Sequence, residues 1–126
     1  MIRGIRGATT IKSDSAEEII SRTEALVREM VRVNNLDPSD IASMYISVTD
    51  DITAEFPAKA LRNIENFTFV PVMCMKEINV PGSLRHCIRV MMNVNTSLSQ
   101  TEVEHIYQEG AIILRPDLRL TKDDEL

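Results

Sequence analysis

The chain is poor in the residues that build several common sites. Its four glycines fall at positions 4, 7, 82 and 110, too scattered for a loop that cradles phosphate. Its two cysteines, Cys74 and Cys87, have no metal-type spacing, and read as free thiols of a reducing, cytoplasmic protein. The two histidines share no ligand spacing, so no metal is expected. No serine has a motif-supported histidine and acid, and Cys87 follows His86 on a strand, where neighbours point apart. Covalent catalysis is therefore a poor fit. No apolar run approaches the roughly 18 residues needed to span a membrane, and the N-terminus lacks the apolar stretch of a signal peptide. Positive charge is also in deficit: the net charge of -5 argues against nucleic acid or an anionic membrane as partner.

What positive charge exists is mostly arginine, ten against four lysines. Arg22, Arg28 and Arg32 fit an ordinary solvated helix face. Arg6 and Arg89 do not, because each sits inside an apolar, strand-like segment with no acid nearby. A guanidinium is always charged and is rarely buried without a partner; its planar fork matches carboxylate and phosphate. Two of them suggest a pocket for a small dianion. Arg6, Lys59, Arg62, Glu77, Arg89, Tyr107 and Arg115 form a mostly cationic polar set with one acid. Such a set suits a dicarboxylate and a reaction that needs charge stabilisation but no nucleophile.

The 126 residues fit one domain, expected over 1–115, with a mobile tail over 116–126. Residues 2–11 alternate as a strand, with Ile2, Gly4, Arg6, Ala8 and Thr10 on one face. Ser15 and Glu18 form a capping box that opens a helix to about Asn34. Its apolar stripe is Ile19, Ile20, Thr23, Val27, Met30 and Val31. A half-buried strand follows over 41–49, with Ala42, Met44, Ile46 and Val48 inward, then a short helix opening at Pro57. Strands are expected over 67–74, with a free edge or break at Pro71, and over 84–94, where His86, Ile88, Val90, Met92 and Val94 face the core. A short helix over 99–105 and a strand over 107–114 complete the chain. The fold class is α+β, a mixed five-stranded sheet with one long helix. One helix covers one sheet face, so oligomerisation is the economical cover for the other.

Five segments carry a family resemblance: Ile2-Arg3-Gly4-Ile5-Arg6-Gly7-Ala8-Thr9-Thr10, Phe56-Pro57-Ala58-Lys59-Ala60, Val70-Pro71-Val72-Met73-Cys74-Met75-Lys76-Glu77, Cys87-Ile88-Arg89-Val90-Met91-Met92 and Leu114-Arg115-Pro116-Asp117-Leu118. In this order and register they resemble the small monofunctional chorismate mutases of the trimeric AroH class. The resemblance implies a cofactor-free Claisen rearrangement of chorismate to prephenate. It also implies a homotrimer with a pseudo-α/β-barrel centre and active sites at subunit interfaces. By the same resemblance, Arg89 would donate to the ether oxygen of the breaking bond and Glu77 would hold the ring hydroxyl, with Cys74 beside it. Arg6 and Tyr107 would hold the side-chain carboxylate. Phe56, Ala58 and Lys59, from a neighbouring subunit, would line the ring and mouth. Arg62 and Arg115 would add positive charge at the entrance, next to Leu114 and the tail. Met73 departs from the pattern, since threonine is expected there; it would turn a polar wall into a flexible apolar one. The alternative is a non-catalytic trimeric module that binds a small carboxylate metabolite. Arg89 together with Glu77 discriminates, because a binder has no need of a donor at a breaking ether bond.

Overall fold

A computed structural model describes residues 1–115; the tail expected over 116–126 lies outside the described residues. The chain runs β1 (Ile2–Thr10), α1 (Ala16–Val33), a 3-10 turn (Pro38–Asp40), β2 (Ile41–Val48), a 3-10 helix (Pro57–Asn63), β3 (Val72–Lys76), β4 (Cys87–Asn95), β5 (Ile106–Tyr107) and a last 3-10 helix (Glu109–Leu114). The strands form one mixed sheet in the order β3-β2-β4-β1-β5. β4 lies antiparallel between β1 and β2, while β3 and β5 join parallel at the edges. The α+β fold class is therefore as the sequence implies.

Ser15 caps α1 in an extended conformation and accepts from the Glu18 amide at 3.2 Å. Glu18 does not return the bond to Ser15, as a reciprocal capping box would. Its carboxylate instead takes the amides of Lys12 (2.6 Å) and Ser13 (3.1 Å), fastening the end of β1 to the helix start. The buried stripe is Ile19, Thr23, Leu26, Val27 and Met30. Leu26 replaces Ile20 and Val31, which are only half-buried. α1 packs on the sheet face that carries Ile5, Ile88, Met92 and Val94, all fully buried.

The structure departs from the expected pattern in four places. Phe67 to Val70 is not strand; Phe67 and Val70 are buried anchors of a turn, and β3 begins after Pro71. Pro71 still marks an edge strand, and its carbonyl accepts from the Met44 amide at 2.8 Å. Ala42 is exposed because a register shift between Ile41 and Ser43 lets both Ile41 and Met44 face the core. β4 starts at Cys87: Arg85 and His86 belong to a turn held by Asp51, which accepts the His86 amide at 3.0 Å. His86 has φ of 49° and is part-exposed, with Nε2 3.6 Å from Asp51, so it is not a core residue. The segment after β4 forms turns rather than a helix over 99–105, and the last strand shrinks to Ile106–Tyr107 before a 3-10 helix.

Candidate active site

Among the described residues, no α-helix covers the sheet face away from α1. β1 alternation directs Arg6 onto it beside Gly4 and Ala8. β4 directs Arg89 and Met91 there, β2 Tyr45 and Ser47, and β3 Met73, Met75 and the following Glu77. This face holds a cavity of about 500 Å³ whose lining reaches from β3 to β5. Arg6, Glu77, Arg89, Tyr107 and Leu114 line it together, with Tyr45, Ser47 and Met75. Residues from four strands, the end of β3 and the last 3-10 helix thus converge, although Arg6 and Tyr107 are far apart in sequence.

Within the cavity Arg89 Nη1 lies 3.4 Å from Glu77 Oε2. The same oxygen accepts from the Ser47 hydroxyl at 3.2 Å, and Glu77 Oε1 accepts from the Ile78 amide at 3.0 Å. The Glu77 amide donates to Val48 O at 2.8 Å, which prolongs the β2–β3 ladder and fixes the acid where the strand ends. Arg6 makes no ion pair among the described residues, although its backbone amide donates to His105 Nδ1 at 2.9 Å. Its charge is therefore available to a ligand.

The remaining expected residues lie elsewhere in the single chain. Phe56, Ala58, Lys59 and Arg62 line a second cavity of about 560 Å³ beside the 3-10 helix Pro57–Asn63. There Lys59 pairs with Glu55 at 2.9 Å, and Phe56 is two-thirds exposed. Cys74 points away from Glu77, as strand alternation requires, and lines a third cavity that also includes Phe56. Met73 is 63% exposed on the same face as Met75, outside the set of residues that lines the Arg89 cavity. Arg115 closes the last 3-10 helix, its amide donating to Ile112 O at 3.1 Å. The Cys87 thiol is pushed up by burial, against the pull of Arg89, which disfavours a thiolate.

Tyr45, Ser47, Met75 and His105 were not singled out from the sequence. Tyr45 and Ser47 had a signal, since both lie on the polar face of an alternating strand. Met75 shares a face with Glu77 by the same rule. His105 had none, because its partner is a backbone amide 99 residues away.

A family model described as chorismate mutase type I matches residues 2–118. The chain is 48% identical over 126 residues to the chorismate mutase AroH of Bacillus subtilis (strain 168), covering 100% of this chain and 99% of that protein. It is 41% identical over 119 residues to the chorismate mutase AroH of Thermus thermophilus, covering 94% and 97%. A solved chorismate mutase from Clostridium thermocellum superposes with a TM-score of 0.85 at 47% identity, covering 87% of this chain and 97% of that one.

Proposed function

The chain belongs to the chorismate mutase type I family, and from that premise we propose how its own residues rearrange chorismate to prephenate. The enzyme is an isomerase of aromatic amino-acid biosynthesis. In the reaction one C–O bond breaks and one C–C bond forms within a single molecule, so no proton, electron or co-reactant is exchanged. What a protein can add is a fixed conformation and charge matched to the transition state.

The observation that carries this reading is the convergence of Arg6, Arg89, Glu77 and Tyr107 on one cavity. Arg89 is the catalytic donor to the ether oxygen, which gains negative charge as the bond breaks. Glu77, steadied by Ser47 and the Ile78 amide, accepts the ring hydroxyl. Arg6 and Tyr107 hold the side-chain carboxylate, with Leu114 beside them. The chemistry uses neither cysteine, metal nor cofactor.

Residues 1–115 act as one catalytic domain in a cytoplasmic homotrimer. Phe56, Ala58, Lys59, Arg62, Met73, Cys74 and Arg115 complete the pocket from across the subunit boundary or at its mouth. Two features support this assembly. Phe56, Lys59 and Arg62 line a cavity separate from that of Arg89 in one chain. The sheet face that α1 leaves uncovered exposes Tyr45, Met73 and Met75, and apolar surface of that kind favours association. The test is loss of chorismate absorbance on adding the protein, read beside sedimentation equilibrium. Binding of chorismate without turnover would favour the non-catalytic alternative, and a fully active monomer would refute the trimer.

A further inference from the structure

Tyr107 sits on a strand only two residues long, Ile106–Tyr107. A strand that short is held by what surrounds it. The ladder with β1 pairs Gly7 with Ile106 and Ala8 with Tyr107, and the Gln108 amide donates to Ala8 O at 2.9 Å. The buried Asn34 side chain clasps Glu104 on both sides, accepting its amide at 2.7 Å and donating to its carbonyl at 2.9 Å. Between these anchors stands His105. Its Nδ1 accepts the Arg6 amide at 2.9 Å, where a longer β5 would have offered a backbone partner. An imidazole that accepts at Nδ1 must be neutral, with its proton on Nε2.

Resting on the mutase reading above, we infer that His105 is a positioning residue for substrate: its neutral ring forms the last rung between β1 and β5, setting Arg6 and Tyr107 at the separation the carboxylate requires. The bond joins the residue before Ile106–Tyr107 to the backbone of Arg6, so its loss loosens β5 against β1 and shifts Tyr107 relative to Arg6, which the β4 ladder still holds. Protonation removes the acceptor and adds a cation beside Arg6. Burial foremost, and then the Arg6 charge, hold the imidazole below its ordinary titration range, which keeps the accepting form at neutral pH.

Charged groups lie on each element packed against β5. Arg6 on β1 acts on it directly. On α1, Glu29 is engaged by Gln108, and Asn34 is neutral. On the last 3-10 helix, Glu109 faces Arg22 at 3.5 Å. Glu104, its chain neighbour, is exposed.

The test compares the full-length parent with His105→Ala and His105→Asn, each checked for fold and assembly by circular dichroism and sedimentation. An asparagine amide oxygen stands near the position of Nδ1 but does not titrate. His105→Ala should raise KM by roughly tenfold to a hundredfold with a smaller change in kcat, because Tyr107 and Arg6 lose their mutual alignment. His105→Asn should recover most of that loss. The parent's KM should rise on the acid side, and this rise should be smaller in His105→Asn. Independently of turnover, 15N shifts of the parent imidazole should show the proton on Nε2, and the Arg6 amide signal should follow the ring's titration. An unchanged KM in folded His105→Ala, or no recovery in folded His105→Asn, would overturn the inference, as would a proton on Nδ1. If the parent itself did not convert chorismate, the functional reading would fail, while the ring and amide signals would still decide the bond.

Discussion

Arg89 and Glu77, opposite charges 3.4 Å apart, face one cavity from β4 and from the residue after β3. Glu77 keeps its place through Ser47 and the Ile78 amide as well. The acid is thus positioned independently of Arg89, and the guanidinium, half-exposed, can turn toward a ligand without stranding its partner. Exposed pairs of this kind contribute little to stability, which leaves the pair free for function.

Arg89 should therefore matter to kcat more than to substrate binding. The ether oxygen is nearly neutral in chorismate and becomes negative in the transition state, so a cation there favours the transition state. Removing one preorganised donor costs about 3–4 kcal/mol, roughly a hundredfold to a thousandfold in rate. Arg89→Ala should lose at least that in kcat, and Arg89→Lys should recover part, since charge returns without the fork. Steady-state kinetics on folded variants measure it. Raised KM with unchanged kcat would reduce Arg89 to an anchor.

Arg6→Ala should weaken a dicarboxylate transition-state mimic, and added salt should weaken the parent's binding moderately. Arg6 has no ion pair among the described residues, so no described carboxylate competes with a ligand for it. Removing a hydrogen bond to a charged group costs about 1.5–3 kcal/mol. Calorimetric titration of the mimic reads the change, and unaltered affinity would remove Arg6 from the carboxylate site.

Cys74→Ala should retain substantial activity. The rearrangement needs no nucleophile, and Cys74 points away from Glu77 toward a separate cavity. Cys87→Ala should also turn over chorismate, at some cost in stability because that side chain is buried. Complete inactivity of a folded Cys74→Ala variant would be incompatible with the mechanism.

Asp51→Asn should lower stability at neutral pH and flatten its dependence on acid. Burial works against the Asp51 charge, but the Thr49 hydroxyl at 2.5 Å, the His86 amide at 3.0 Å and the His86 and Arg85 charges outweigh it and lower the pKa below its ordinary 3.8. A depressed carboxylate contributes stability above its unfolded pKa and loses it as pH falls through the folded one. The variant should melt earlier than the parent at neutral pH, with the gap closing as pH falls below about 3.8. A gap independent of pH would mean that charge is not what holds the turn before β4.

Gly7→Ala should destabilise the packing of α1 on the sheet. An added Cβ would overlap Met30 Sδ and lie 3.1 Å from Leu26 Cδ1, both on fully buried side chains. Overpacking of this kind typically costs about 1–3 kcal/mol. Urea unfolding measures it, and Gly7→Ala combined with Met30→Ala should regain less than full stability, because a cavity replaces the clash.

Local pattern in the sequence determined much of this protein. Alternation placed Arg6 and Arg89 on a sheet face opposite Ile5 and Ile88, Ser15 marked the start of α1, and Pro71 marked an edge, because each rests on near neighbours in the chain. The five resembling segments carried the family. Where Phe67–Val70, Arg85–His86 and residues 99–114 go was decided only in three dimensions. These segments have no period of their own; Asp51 captures the His86 amide from 35 residues away and Asn34 captures Glu104 from 70. The cavity itself follows from strand pairing. Ser47 lies across from Arg89 on one side, and β3 runs parallel to β2 on the other until Glu77. Neither register is visible from spacing, because it depends on which strands meet, and that is settled by burying their other faces under α1.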